Sequence, residues 1–315
     1  MNLLTIIIPM FNEIDNIEQC VNVLKKQKNQ NFDVSFIDDG STDGTAEYLK
    51  GALKEVGFEY QIIIQKNKGA AEARKVGIER SENDFIMIYD CDDKLSDDFI
   101  EKFYNVYENF SDVDIIVPEM LIEDKKGSWK KFIFYTDSYD LMPMDCVINS
   151  LNDWHIHGCF AIKRSIALKS YRDYRKYNNN NENFINNDEV ITRLNFLNAS
   201  KIVRNEAIYY YCYNNVSTTH KVNSNRYLTI NNTLILDEIF HNHPEFSIEV
   251  KKQLISVLWS NIIFMYQYRN EISNMSDWKE KILFASKNLE YIKLVNQIDF
   301  KKKIQLTAIK LIKFF

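Results

Sequence analysis

Residues 86–93 read Ile86-Met87-Ile88-Tyr89-Asp90-Cys91-Asp92-Asp93, an apolar run that ends in three carboxylates within four positions. The apolar part predicts a buried strand, and in open α/β sheets ligands bind at the carboxyl ends of the strands. Closely spaced carboxylates there suit Mg²⁺ or Mn²⁺. The same acids also fit a polar loop before a helix, because residues 96–98 resemble a helix N-cap and first turn. This stretch alone is compatible with both interpretations.

The first ninety residues place this stretch in an alternating pattern of strands and helices with short connections. Such alternation predicts a mixed, mostly parallel sheet flanked by helices, an α/β fold. Acids follow the second and the fourth predicted strands, and the carboxyl ends of parallel strands meet at one edge of a sheet. Strands are predicted at 3–9, 34–37, 60–64 and 85–89, and further ones at 115–117, 132–135 and 207–211.

The later part of the chain has a different pattern. From about Arg226 onward the hydrophobic spacing is helical, with polar turns between the segments. We therefore predict one domain over residues 1–220 and a C-terminal helical region over 221–315. The domain has a first half at 1–93 and a second half at 94–220.

Composition limits the class of protein. The hydrophobic fraction of 45% and charged fraction of 26% are typical of a globular protein, and no apolar run approaches the roughly 20 residues that cross a bilayer. The first residues lack a basic region and a cleavage site, so we expect a cytoplasmic protein. The five cysteines are odd in number and scattered, which argues against a disulfide framework or a zinc site. The net charge of -5 argues against nucleic acid as a partner.

Four motifs stand in a specific order, although no Gly-x-Gly-x-x-Gly follows the first strand. They are Pro9-Met10-Phe11-Asn12-Glu13, Asp38-Asp39-Gly40-Ser41-Thr42-Asp43-Gly44, Asn67-Lys68-Gly69-Ala70-Ala71-Glu72-Ala73-Arg74 and Tyr89-Asp90-Cys91-Asp92-Asp93. In this order and spacing the chain resembles the family 2 glycosyltransferases of the GT-A fold. The resemblance covers the first ninety-odd residues in detail. It implies inverting transfer of a sugar from a nucleotide diphosphate donor, usually a UDP-sugar. It also implies that residues 1–93 are the nucleotide-binding half of the domain and residues 94–220 the acceptor half.

The resemblance implies roles for the residues of these motifs. Asp39 would hydrogen-bond the uracil edge, Phe11 would flank the base and Asp90 would lie near the ribose. Arg74 would hold a phosphate or the acidic loop, or alternatively form a structural salt bridge with one of the acids. The implied donor-binding set is Pro9, Phe11, Asn12, Glu13, Asp39, Asn67, Gly69, Arg74, Asp90 and Cys91.

The resemblance also implies a divalent cation, Mn²⁺ or Mg²⁺, that bridges the two phosphates. Asp92 would bind this cation and Asp93 would support it. A stretch at 217–220 could fold over the phosphates, with His220 reaching the metal. A bound cation offsets the charge that develops on a leaving diphosphate, so the reaction would need no proton donor there.

Inverting transfer also needs a base for the acceptor hydroxyl. In related enzymes the base is an aspartate in a Glu-Asp pair that starts a helix. The matching position here is Asp188, with Asn187 where glutamate is usual and Glu189 as the alternative base; Asp188 could also simply cap its helix. The implied acceptor-binding residues are Trp154, His155 and His157, although the histidines could have structural roles.

These features predict a metal-dependent glycosyltransferase that builds a surface polysaccharide or a lipid-linked oligosaccharide. The alternative is an inactive GT-A scaffold that binds a nucleotide sugar or a protein partner. Residues 301–315 contain five lysines and no acid, and as a helix they would place Ile304, Ala308 and Leu311 on one stripe. That stripe could contact the inner face of the membrane, or it could pack on the protein itself.

Overall fold

The computed structural model describes residues 2–151, 154–178, 186–214 and 222–311. In these ranges ten strands belong to one mixed sheet. The strands are β1 Leu4–Met10, β2 Asp33–Asp38, β3 Glu59–Ile64, β4 Phe85–Ile88, β5 Lys94–Leu95, β6 Ile115–Glu123, β7 Trp129–Lys131, β8 Asp140–Leu141, β9 Ala161–Lys163 and β10 Ile202–Tyr211.

The helices alternate with the strands in the first half of the chain and then follow one another. They are α1 Ile14–Lys25, α2 Thr45–Ala52, α3 Ala70–Arg80, α4 Phe99–Asn109, α5 Pro143–Leu151, α6 Arg164–Tyr177, α7 Asp188–Asn198, α8 Thr229–Ile239, α9 Pro244–Gln267, α10 Met275–Ser286, α11 Tyr291–Leu294 and α12 Phe300–Leu311. Among the described helices, none combines the length and the apolar character that crossing a bilayer requires.

The parallel half of the sheet has the order β3-β2-β1-β4. Its central strand, β1, pairs in parallel with both β2 and β4. Residues 4–8 are all buried, as expected for a strand that is covered on both faces. The carboxyl ends of β1, β2 and β4 therefore meet at one edge, as the sequence predicted.

The second half of the sheet is mixed because β9 is inserted antiparallel between β4 and β6. Strand β10 then runs parallel to β6 and antiparallel to the short β5. The sheet thus has the predicted α/β class. The predicted strand at 132–135 is wrong, because the residues that pair with β6 are those of β7.

Contacts between Cα atoms divide the chain into two compact units. The first holds the sheet, and its core lies between the sheet and the helices α1 and α4. The predicted boundary between residues 220 and 221 lies outside the described residues. The first unit comprises 1–147, 155–173 and 194–214; the second comprises 148–154, 174–193 and 215–315.

The second unit contains helices α8 to α12. Their shared core includes Leu254 and Leu258 of α9. Helix α12 packs into this core through Leu306 and Ile309, which are 0% and 2% exposed. Of the two alternatives for the predicted stripe, packing on the protein is wrong for Ile304, which is 54% exposed, and the membrane contact stays a prediction. An apolar surface remains on the outside of the helix.

Candidate active site

The loops after β1 and β2 are joined by hydrogen bonds. Asn12 adopts φ 58°, and its Oδ1 accepts a hydrogen bond from the Thr42 N–H at 2.8 Å. Its own N–H donates to Ser41 Oγ at 2.9 Å, and the Glu13 N–H donates to Thr45 Oγ1 at 2.9 Å. Asn12 and Glu13 thus order the two loops, so their backbone contacts are structural.

Asp39 orders a third loop at the same edge. Its Oδ1 accepts hydrogen bonds from Gln65 Nε2 at 2.7 Å and the Lys68 N–H at 2.9 Å, and its Oδ2 accepts one from the Gly69 N–H at 2.7 Å. Gly40 next to it has φ +77°, and a Cβ there would lie 2.9 Å from the Asn67 N atom. Asp39 is only 2% exposed, and since a carboxylate offers about four lone-pair positions, one acceptor position remains beyond these three bonds.

Phe11 supplies the apolar surface of this edge. Its side chain is 47% exposed, although it directly follows the buried strand β1. Pro9 is partly buried in β1, and Asn67 is exposed in the loop that Asp39 holds. An exposed aromatic ring beside a fixed carboxylate can bind a planar, polar-edged base by stacking and hydrogen bonding.

The acidic motif alternates between inward and outward residues. Tyr89, Cys91 and Asp93 are buried, whereas Asp90 and Asp92 are partly exposed. Cys91 is 2% exposed and lies in the core, where a hydrogen bond with Cys20 and burial raise the pKa of its thiol. The Cys91 thiol is therefore turned into the core, and any part that Cys91 takes in donor binding stays a prediction.

The outward acids form one negative cluster with Glu13. Burial raises the pKa of Glu13, and the charges of Asp92 and Asp90 raise it further. Arg74 lies on the other side of the cluster, where its Nη2 is 3.8 Å from Asp90 Oδ1. This is the structural salt bridge that the sequence offered as one role of Arg74.

Asp93 lies behind the cluster. Its Oδ2 accepts a 2.6 Å hydrogen bond from the Tyr209 hydroxyl, and its Oδ1 accepts a 2.8 Å bond from the Cys212 N–H. Burial and the neighbouring Asp90 raise the pKa of Asp93 to about 8. With both oxygens bonded to the protein, Asp93 is suited to support the loop and not to bind a cation directly.

The residues present fit a cation that is held only partly by the protein. Asp92 Oδ2 accepts a 2.7 Å hydrogen bond from Asn214 Nδ2, which fixes the carboxylate and leaves it further acceptor capacity. Within the described part of the chain, no three His, Cys, Asp or Glu side chains converge to hold a metal alone. Mg²⁺ is usually held by one or two carboxylates with phosphate oxygens and water. His220 lies outside the described residues.

Helix α7 carries the predicted base in the second unit. Asp188 is its first residue and is exposed, and the Asn187 carbonyl before it accepts the Val190 N–H at 3.0 Å. Glu189 is in a different environment: its Oε2 lies 3.5 Å from Arg193 Nη1, and burial raises its pKa. Asp188 therefore presents the more accessible carboxylate of the two.

Trp154 and Arg193 form a pair in the same unit. The Arg193 guanidinium lies 4.2 Å from the centroid of the Trp154 ring, and Trp154 adopts φ 49°. Arg193 also donates to the Glu189 carbonyl at 2.9 Å and the Ser150 carbonyl at 2.6 Å. One face of the predicted acceptor-binding tryptophan is thus covered by an arginine, a partner that the sequence did not reveal.

His155 and His157 follow Trp154 in the sequence and belong to the first unit, and their side chains differ in exposure. His155 is exposed. His157 is buried against Phe132 and Phe134, and its Nε2 lies 2.9 Å from the Pro118 carbonyl. Burial lowers the pKa of His157 to about 4. The imidazole of His157 is enclosed by the protein, which agrees with the structural role that the sequence analysis gave as the alternative to acceptor binding.

Comparison with known proteins identifies the family. Residues 5–172 match the sequence profile of Glycosyl transferase family 2. This chain belongs to that family. The family 2 chain is 27% identical over 220 residues to glycosyltransferase GlyG of Streptococcus pneumoniae, across 66% of this chain and 70% of GlyG. It is 34% identical over 110 residues to the teichoic acid poly(glycerol phosphate) polymerase of Staphylococcus epidermidis, covering 33% of the chain and 15% of that polymerase.

Solved structures share the fold of this chain. S. aureus TarS superposes with a TM-score of 0.68 at 15% identity, covering 98% of this chain and 53% of TarS. TarS 1–349 in complex with UDP-GlcNAc gives a TM-score of 0.65 at 16% identity, covering 92% and 82% of the two chains. These likenesses confirm the predicted GT-A fold, and the family match confirms that the chain is a glycosyltransferase.

Proposed function

We propose that this family 2 enzyme is a metal-dependent inverting glycosyltransferase that uses a UDP-sugar to extend a glycan of the bacterial cell envelope. The observation that carries the proposal is the shared sheet edge. There Asp39 fixes the loop at 65–69, Phe11 is exposed, and Asp92 is held by Asn214. This edge has the parts that a nucleoside diphosphate needs: an aromatic surface, a base-reading carboxylate and an outward acid for a cation.

At the donor end, the residues of the chain bind the nucleotide sugar and orient it. Phe11 would pack on the uracil and Asp39 would accept its N–H, while the Asp90–Arg74 pair would stand near the ribose. TarS has been crystallised with UDP-GlcNAc, which supports a uridine nucleotide for this related fold. A cation on Asp92 would offset the charge of the leaving diphosphate. Asp93 would hold the Asp92 loop through its bonds to Tyr209 and Cys212.

At the acceptor end, we propose that Asp188 takes the proton of the attacking hydroxyl. Its exposed carboxylate favours it over Glu189, which Arg193 engages. The catalytic proton transfer then ends on Asp188 Oδ, and the sugar anomeric centre is inverted because attack comes opposite the diphosphate. The acceptor proposal draws on relatives such as the teichoic acid polymerase, of which this chain spans only a small part.

We also propose that the enzyme works in the cytoplasm, with α12 at the inner membrane face. Its outer surface carries Phe300, Ile304 and Leu311 beside lysines, a combination that suits anionic lipid. The membrane that α12 contacts would then also hold the lipid-linked acceptor.

The test is a thermal-shift screen of nucleotide sugars with and without Mn²⁺, joined to a transfer assay. A ligand that binds only the folded protein raises its stability by about 2.7 kcal/mol at a hundred times its Kd. We expect one UDP-sugar to raise the Tm of the wild type in a Mn²⁺-dependent manner. Asp92→Asn should lose the Mn²⁺-dependent part of that rise.

The base is tested by Asp188→Asn, which should keep the donor-induced rise in Tm and lower kcat by about 10²–10⁴-fold. Asp277→Asn is the matched control, because Asp277 is also an exposed aspartate in the first turn of a helix, α10. Normal transfer by Asp188→Asn together with loss in Glu189→Gln would move the base to Glu189. A wild type that binds a UDP-sugar but neither transfers nor hydrolyses it would identify an inactive scaffold instead.

A further inference from the structure

The pairing of β5 with β10 creates a second surface close to the donor loop. Lys94 lies directly opposite Tyr210, and Leu95 lies opposite Tyr209. Because side chains alternate along a strand, Tyr209 points inward to Asp93, whereas Tyr210 and Lys94 share the opposite face. The strand pair that supports the acidic motif thus presents a lysine and a tyrosine on its other side.

A groove lies on that other side, along helix α1. One cavity of about 610 Å³ is lined by Val23, Lys26, Lys94, Trp129 and Tyr210, among others. A second cavity of about 540 Å³ shares Val23, Lys26 and Lys94 with it and extends along α1 to the acids Glu18 and Asp15. We call the two together the α1 groove. Since α-helices rise 1.5 Å per residue, the groove follows α1 for about 17 Å from Asp15 to Lys26. It is long enough for more than one sugar ring.

The wide end of the α1 groove is positively charged. Lys26, Lys28 and Lys94 line it, and none of the three forms an ion pair with another described residue. Two acids line the same cavity, and one of them, Asp98, is paired with Lys102 at 3.1 Å. The cavity therefore has three lysine ammonium groups and one further carboxylate, that of Asp97. The ends of helices favour lysines in general, but Lys94 comes from a strand and converges on the same cavity.

An aromatic pair forms the wall beside these charges. The Trp129 and Tyr210 rings meet edge to face, with centroids 5.4 Å apart. Trp129 is 38% exposed although it belongs to strand β7, where it pairs with Glu123. A rigid, exposed indole offers a flat apolar surface with little conformational entropy to lose on binding. Flat aromatic surface next to hydrogen-bond donors suits the apolar face and hydroxyl groups of a sugar.

We propose that the α1 groove binds an anionic glycan, a sugar or polyol chain that carries phosphodiester or carboxylate groups. A ring of the chain packs on Trp129, and its anionic groups lie on Lys26, Lys28 and Lys94. The inference rests on the proposed function, because it identifies the bound chain as the acceptor polymer. The groove begins at Asp15, two residues after the donor-loop residue Glu13. The anionic groups of the polymer stay at the lysine end, and an uncharged part of the chain passes Glu18 and Asp15 toward the donor site.

The test measures binding of defined chains to the full protein by isothermal titration calorimetry. The probes are poly(glycerol phosphate) for phosphodiesters, oligogalacturonate for carboxylates, and neutral malto-oligosaccharide. We expect at least one anionic probe to bind at least tenfold more tightly than the neutral one, and to weaken as NaCl rises to 0.5 M. The Lys26→Gln/Lys94→Gln double variant should bind that probe about tenfold more weakly, whereas Lys50→Gln on exposed α2 should not.

Trp129→Ala should weaken binding by a similar factor, and Trp129→Phe should restore most of it, which separates ring packing from misfolding. Equal binding of the neutral probe, no binding of either anionic probe, or full binding by the double variant would each overturn the inference. UDP-sugar stabilisation of the same wild-type sample reports on the proposed function separately. If that stabilisation occurs without anionic-glycan binding, the groove inference fails alone; if glycan binds and no UDP-sugar does, the proposed function fails instead.

Discussion

His157 makes the stability of the first unit depend on pH in a defined way. In the unfolded chain its imidazole takes up a proton near pH 6.5, whereas in the folded protein it does so only near pH 4. Between these values the unfolded state binds more protons, so stability falls as pH falls and is fully retained above pH 6.5. At 1.36 kcal/mol per pH unit, the loss is about 2 kcal/mol at pH 5 and about 3 kcal/mol at pH 4, where the folded-state imidazole is itself half protonated.

The perturbation is His157→Gln, which keeps an N–H donor for the Pro118 carbonyl but cannot take up the proton. We expect the urea midpoint of the wild type to fall by about 0.7 M more than that of the variant between pH 7 and pH 5, at an m-value of about 3 kcal/mol/M. His155→Gln, two residues away and exposed, should keep the wild-type slope. If His157→Gln retains the wild-type slope, the buried imidazole is not the group responsible and the reasoning is refuted.

Two further predictions concern packing and membrane contact. Gly77→Ala should destabilise the protein by about 1–3 kcal/mol in urea unfolding, because its Cβ would lie 2.2 Å from Cγ2 of the buried Ile7. Gly51→Ala, with no atom within 4 Å, should instead stabilise it by about 0.5–1 kcal/mol. The Ile304→Glu/Leu311→Glu double variant should lose sedimentation with anionic vesicles without a change in Tm, since both side chains are exposed; retained sedimentation would contradict the membrane proposal.

The sequence predicted the parallel half of the sheet because each strand there is a local apolar run between amphipathic helices. Strand β9 was not predicted, since it is only three residues long and its place between β4 and β6 depends on pairing partners far away in the chain. The error at 132–135 has a similar cause: Phe132 donates its N–H to Met120 as a strand residue would, but the pairing ends at Lys131.

Within the candidate site, the residue type alone did not show whether a side chain points into the core or toward the site. The Tyr-Asp-Cys-Asp-Asp run alternates with a period of two, so the sequence already held the signal that Cys91 points inward. No local signal could have shown that Arg193 covers Trp154 or that His157 lies between two phenylalanines. Such partners come from other elements, and only the fold brings them together.

The bonds from Tyr209 and Cys212 to Asp93, and from Asn214 to Asp92, join two segments that lie about 120 positions apart in the chain. These segments therefore form one exchangeable part. A chimera in which residue 209 lacks a hydroxyl would leave Asp93 Oδ2 without its donor, at a cost of about 1–3 kcal/mol, whereas the bond from the Cys212 backbone N–H does not depend on the side chain. A graft of the acidic motif into another family 2 chain therefore has to bring residues 209–214 with it, so that Asp92 and Asp93 keep their side-chain donors.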